Sequence, residues 1–320
     1  PTPTPAFAQV LRGHTDSVRA LAFSPDGALL ASGGLDAMVR VWEVAQMVER
    51  SSFQADQWVF SLAFSANGSR LFMATGLGLQ GGGQLAVLDV ENNRLALRSG
   101  KLFVDNVTSL TLDRFGTSLA VGSVGNAVDD PNVFLSLRQP DSLSGSANFS
   151  DNPVFAVAFS PDGKRLIYGG TDRSVYVRDL ASANNRRITV AARDRHTGMV
   201  RAVAFHPTDS TLAASAGEDG VVRVWRVGDN DLRLLAALQG DAVRLFALAF
   251  SPDGNQLAAA GASLLGSSVV ELWDVAAAAQ GEAAPPFVLD AGSAEIGQVV
   301  NNQSALAFRA VAYSPDGRRL

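Results

Sequence analysis

Two sets of residues have the types that nucleophilic catalysis uses. His14, Ser32 and Asp36 form one set, and His196, Ser215 and Asp219 form the other. A serine activated by a histidine, itself oriented by a carboxylate, can attack a carbonyl carbon. Such a serine must face a cleft with oxyanion donors nearby. The same residue types also suit a chain of internal hydrogen bonds. Each bond there is worth roughly 1 kcal/mol net, and a lost partner strands a buried polar group at about 1–3 kcal/mol. Which reading holds depends on the elements that carry these residues.

Other chemistry finds less support. There are 3 histidines, and the third, His206, belongs to neither set. No histidine pair has ligand spacing. The chain has no cysteine, which excludes disulfides and thiolate metal sites. Asp129 and Asp130 offer oxygen ligands without an EF-hand pattern. The run Gly81-Gly82-Gly83 lacks the Gly-Lys-Ser/Thr ending of a phosphate loop. Asn-x-Ser/Thr triplets at Asn67, Asn106, Asn148 and Asn302 matter only in a glycosylating pathway. No catalytic residue, metal or cofactor is expected.

The elements announce themselves as a repeat. Ser24-Pro25-Asp26-Gly27 recurs as Ser160-Pro161-Asp162-Gly163, Ser251-Pro252-Asp253-Gly254 and Ser314-Pro315-Asp316-Gly317. Weaker copies start at Ser65, Asp113 and His206, so the steps are 41, 48, 47, 46, 45 and 63 residues. A period of roughly 40–50 residues marks stacked units that cannot bury their faces alone. In the first unit, Val18 to Phe23, Leu29 to Ser32, Val39 to Val44 and Val48 to Gln54 read as short strands between turns. No stretch holds a helical period over about a dozen residues. The chain is 47% hydrophobic and 18% charged, suited to a large core. No apolar run reaches the roughly 18 residues of a membrane span. Its net charge of −5 argues against nucleic acid as the main partner.

Gly13-His14, Ser32, Asp36 and Trp42-Glu43 resemble the WD-repeat β-propeller pattern, and His196, Ser215, Asp219 and Trp225 repeat it. The resemblance runs along nearly the whole chain. It implies an all-β propeller of four-stranded antiparallel blades, six full and a seventh incomplete, forming one domain over residues 1–320. The blades are expected near 14–56, 57–104, 105–150, 151–194, 195–240 and 241–292. A partial blade would cover 304–320, with residues 7–12 as its outer strand and the missing strands beyond Leu320. It also implies that His14, Ser32, Asp36 and Trp42, and likewise His196, Ser215, Asp219 and Trp225, bond in series as structural braces.

The other units depart from the pattern. Tyr168 takes a Ser position, as does Ala259, while Leu88, Ser136 and Arg178 take Trp positions. These blades are expected to hold by apolar packing rather than by a polar network. Phe287 to Asp290 suits the outer strand of the sixth blade.

Aligning the units on Val18, Leu21 and Phe23 singles out one further position. It is held by Arg19, Phe60, Thr108, Phe155, Arg201, Phe246 and Arg309, with Trp58 adjacent. In the family this position lies near the upper channel mouth, where partners dock. Arginine and aromatic residues are enriched at interfaces. The expected function is therefore a non-catalytic scaffold holding a protein or peptide with acidic and apolar side chains. No nucleic acid or membrane partner is expected. The alternatives are a channel-centred hydrolase or lactonase, and a purely structural propeller in a longer signalling protein.

Overall fold

The computed structural model describes residues 10–77, 82–91, 94–103, 106–124, 134–145, 149–182, 185–282, 285–290 and 307–320. The first sheet is β1 (Val18–Phe23), β2 (Leu29–Gly34), β3 (Met38–Glu43) and β4 (Val48–Gln54), antiparallel and in chain order. The second is β5 (Trp58–Phe64), β6 (Arg70–Gly76), β7 (Gly83–Glu91) and β8 (Arg94–Phe103). The third has, among the described residues, three strands, β9 (Val107–Leu112), β10 (Leu119–Ser123) and β11 (Leu135–Arg138). The fourth is β12 (Val154–Phe159), β13 (Arg165–Gly170), β14 (Val175–Asp179) and β15 (Arg187–Thr189). The fifth is β16 (Val200–Phe205), β17 (Leu212–Gly217), β18 (Val221–Val227) and β19 (Leu232–Gln239). The sixth is β20 (Ala242–Phe250), β21 (Gln256–Ser263), β22 (Ser268–Asp274) and β23 (Phe287–Asp290).

The first strands touch in succession, β1 to β5, β9, β12, β16 and β20, so they line a common axis. The sheets are the blades of a six-bladed β-propeller. Their faces pack against one another: Ala31, Val39 and Val41 of the first blade meet Val59, Leu62 and Leu71 of the second. Trp225, buried in the fifth, shares a cluster with Ile167 and Val177 of the fourth. Each blade thus borrows its core from its neighbours, as the repeat period requires.

A small helix, α1 (Val275–Gln280), joins β22 to β23 and packs on β19. Asp274 caps it by accepting from Ala277 N at 2.9 Å. At 6 residues it is too short to show a helical period in sequence. Among the described residues no helix is long and apolar enough to cross a membrane.

The tight turns between first and second strands owe their recurrence to one bond set. Ser24 Oγ donates to Asp26 Oδ1 (2.6 Å) and accepts from Leu29 N (2.9 Å), while Ala28 N donates to Asp26 Oδ1 (3.0 Å). Ser160, Ser251 and Ser314 do the same with Asp162, Asp253 and Asp316. Gly27 takes φ 71°, which its type alone permits cheaply. These hydroxyls hold the Asp26 and Asp316 carboxyls below the usual range.

The turns also interlock around the lower channel mouth. Pro25 seats on Gly68, Ala66 on Gly116, Phe115 on Gly163 and Pro252 on Gly317. Pro315 seats on Gly27, 3.4 Å from where a Cβ would lie. Residues 307–320 therefore stand between the sixth blade and the first, and Arg319 Nη1 donates to Val44 O at 2.6 Å. Within the expected partial seventh blade, 307–320 carry no assigned strand, nor do 10–12, while 304–306 and 7–9 lie outside the described residues. Without described partner strands, 307–320 hold their place through the turn and its seats.

Candidate functional site

Within the first blade, Trp42 Nε1 donates to Ser32 Oγ (2.8 Å), which lies 2.7 Å from His14 Nε2. His14 Nδ1 is 2.9 Å from Asp36 Oδ2, and that carboxylate also accepts from Thr15 N at 3.0 Å. The fifth blade repeats the series. Trp225 Nε1 meets Ser215 Oγ (2.8 Å), Ser215 meets His196 Nε2 (2.8 Å), and His196 Nδ1 meets Asp219 Oδ1 (2.9 Å). Arg223 Nη1 adds a bond to Asp219 Oδ2 at 2.9 Å. Ser215 is fully buried, with its hydroxyl bonded on both sides. Burial, seconded by Arg223, lowers the His196 pKa. Burial alone would raise Asp219, but His196, Thr197 N and Arg223 hold its carboxyl well below the usual range.

The remaining blades carry polar stitches of their own, which corrects the expectation of apolar packing alone. In the fourth blade, Asp172 Oδ2 accepts from Tyr176 Oη (2.5 Å) and Asn152 Nδ2 (3.1 Å). Tyr168 Oη and Arg178 Nη2 both donate to Phe149 O, at 2.9 and 2.8 Å. In the sixth blade, buried Glu271 accepts from Ala242 N at 2.8 Å. In the second, Thr75 Oγ1 bonds Gln57 Oε1 at 3.0 Å. The physical reason is common: buried backbone and side-chain polar groups at each blade entry need partners.

The third blade also corrects a position. Leu119 pairs with Arg138 where Leu30 pairs with Trp42, so Arg138 and not Ser136 stands at the Trp position. Arg138 is buried and donates to Leu143 O (3.1 Å) and Gly145 O (3.2 Å).

The aligned position proves to be a backbone device. The pairing of first with second strand skips one residue between Val18 and Ala20, and again between Val59 and Ser61. The same skip falls between Val107 and Ser109, Val154 and Ala156, Val200 and Ala202, and Leu245 and Ala247. Arg19, Phe60, Thr108, Phe155, Arg201 and Phe246 are thus each the extra residue of a β-bulge. A bulge frees its residue from the ladder and re-aims its side chain. Six blades in succession do this at the upper end of the first strand.

All seven ring residues are half-buried, and Trp58 is the exposed tryptophan. Arg201 covers the Phe155 ring at 4.0 Å, and Arg309 covers Phe246 at 3.7 Å. Trp58 meets Phe60 edge-on at 6.4 Å. Thr108 Oγ1 is spent on Val154 O at 2.6 Å. Arg201 Nε donates to Glu218 Oε1 at 2.8 Å. Arg19 Nε is buried with no hydrogen-bond partner among the described residues. Burial, then the charges of Arg19 and Arg201, lowers Arg309 to about 10. Burial and Arg201 likewise lower Arg19. The arginines therefore share one field, which Glu218 offsets in part.

Asp129 and Asp130 lie outside the described residues. Among the described residues, no group of three or more His, Asp or Glu is placed to hold a metal.

Comparison with known proteins bears on the same blades. The family model for the WD domain, G-beta repeat, matches residues 6–43, 141–179 and 187–226. The ribosome biogenesis protein BOP1 homolog of Caenorhabditis elegans is 30% identical over 213 residues, 66% of this chain and 28% of that protein. WD repeat-containing protein 1 of Gallus gallus is 24% identical over 233 residues, 71% of this chain and 36% of that protein. Striatin-4 of Homo sapiens is 29% identical over 237 residues, 68% of this chain and 29% of that protein. The matches thus span about a third or less of each relative's own length.

Proposed function

The chain is a WD-repeat β-propeller, and from that premise we propose that it is a non-catalytic scaffold holding a partner protein or peptide at the upper channel mouth. One observation carries the reading. Consecutive blades use a bulge to turn Arg, Phe or Thr out of the ladder, and Arg19 and Arg309 are left partly desolvated there with no carboxylate bonded to them among the described residues. Desolvated guanidinium is costly unless something pairs with it, and charge-assisted bonds are the strong ones. The half-buried Phe rings supply apolar contact beside them. A segment bearing carboxylates and apolar side chains fits both.

Catalysis fits the same geometry poorly. The two triads are closed inside blades, each serine bonded on both sides, with Ser215 buried. The ring offers cations and aromatics, not the converging carboxylates or imidazoles of a hydrolase.

The test uses dodecapeptides selected from a random phage-displayed library on the purified propeller. Trp42, Trp225 and Trp273 are buried, so Trp58, 39% exposed, reports occupancy of the mouth by its emission. The variant R19Q/R201Q/R309Q is expected to lose at least tenfold in affinity while keeping its thermal midpoint. Unchanged affinity and an unmoved Trp58 signal would count against this surface.

A further inference from the structure

The sixth blade departs from the others at the channel mouth. In β1, β9, β12 and β16 the strand begins one residue before its bulge, and in β5 two before. In β20 it begins at Ala242, four residues before Phe246. At about 3.3 Å per residue, the β20–β21 hairpin rises roughly 10 Å further than most of its counterparts. A second bulge, between Ala242 and Arg244, falls in this extension and sets Val243 outside the ladder.

The connection at the end of β21 is a closed turn. Gly266 N donates to Ser263 O at 3.0 Å, and Ser263 N donates to Ser267 O at 2.9 Å. At its centre stand Leu264 and Leu265, 83% and 92% exposed. Such turn centres ordinarily take Gly, Asn, Asp or Ser, and nothing in the turn's bonding calls for leucine. Val243 is 42% exposed at the same tip. Arg244, also exposed, pairs across the hairpin with Ala262 and adds its charge to the field on Arg309. An apolar crest thus stands at the upper end of the sixth blade, with Arg244 between it and Phe246 along β20.

Resting on the channel-mouth reading, we propose that the bound partner segment is amphipathic and runs up the sixth blade. Its carboxylates meet Arg309 and Arg244, and its apolar side chains cover Val243, Leu264 and Leu265. Charge complementarity selects the acidic partner: Arg19, Arg201, Arg244 and Arg309 share the field, and Arg201 has Glu218 as its bonded carboxylate. The partner is a protein segment rather than a lipid surface, because the crest is confined to one blade beside a recessed ring. A flat bilayer would reach the crest and leave the ring empty.

The selected dodecapeptides are expected to alternate Asp or Glu with Leu, Ile, Val or Phe. Their affinity by fluorescence anisotropy should fall at least tenfold in L264S/L265S and several-fold in R244Q, both exposed sites that leave folding intact. Binding unchanged in L264S/L265S, yet lost in R19Q/R201Q/R309Q, overturns the crest and leaves the mouth standing. Binding unchanged in all variants overturns both. Selection of peptides without acidic residues overturns the proposal. So does sedimentation of wild-type protein, but not L264S/L265S, with phosphatidylserine-containing vesicles.

Discussion

At the scale of single residues, the histidine series bond in line inside their blades, and protonation of His196 in the fifth blade sets a pH limit. His196 carries a lowered pKa in the fold, chiefly through burial. Unfolded, it titrates near about 6.5. The unfolded chain therefore takes up this proton first as pH falls, so the contribution is whole above about 6.5 and drains away below it. Asp219, also lowered, adds a second loss at more acid pH. Denaturant midpoints should fall between pH 7.5 and 5.5 in the wild type. In His196→Gln that slope should flatten, with stability about 1–3 kcal/mol lower at pH 7.5 because Ser215 and Asp219 lose a buried partner. Equal slopes in urea titrations of the two proteins would contradict the assignment.

At the scale of elements, the third blade has three strands among the described residues, and an arginine ties down the segment that follows the last of them. After β11, Gln139 N donates to Ser144 O at 2.8 Å, and Phe149 N reaches back to Leu135 O at 3.0 Å. Arg138 ties this segment through Leu143 O and Gly145 O. In Arg138→Met those carbonyls lose their donor, and stability should drop by about 1–3 kcal/mol. Limited proteolysis should then cut within 139–149 well before the rest of the chain. A wild-type cleavage pattern would refute it. The misreading of Ser136 for Arg138 has a simple cause. The two lie on one face of a strand, two residues apart, and alternation fits both. Only a count through the long connection after Ser123 could separate them, and sequence gives no such count. By contrast, β4 and β23 were legible to the residue: β4 from its place after the third strand of a clear repeat, and β23 as a short apolar run following Pro285-Pro286. The ring was legible as a column of unlike residues at one aligned position. That each is a bulge was not, since Arg, Phe and Thr carry no bulge signal.

At the scale of the whole molecule, stability belongs to the ring rather than to any blade. Residues 307–320 touch the first blade through Pro315 and Arg319 and the sixth through Gly317 and Phe308. A chain ending at Asp290 would open the faces of both. It should melt at least about 5 °C lower and associate with rising concentration, since exposed apolar faces and strand edges seek partners. Light scattering and a melting curve test this. A monomer with an unchanged midpoint would show that these residues are dispensable.

The seating of turn on turn has an evolutionary corollary. Most units carry both halves of the contact: a residue that projects and a glycine that receives. A copied unit therefore arrives with its own socket and its own plug, so gene duplication can lengthen such an array without redesigning the neighbours on either side.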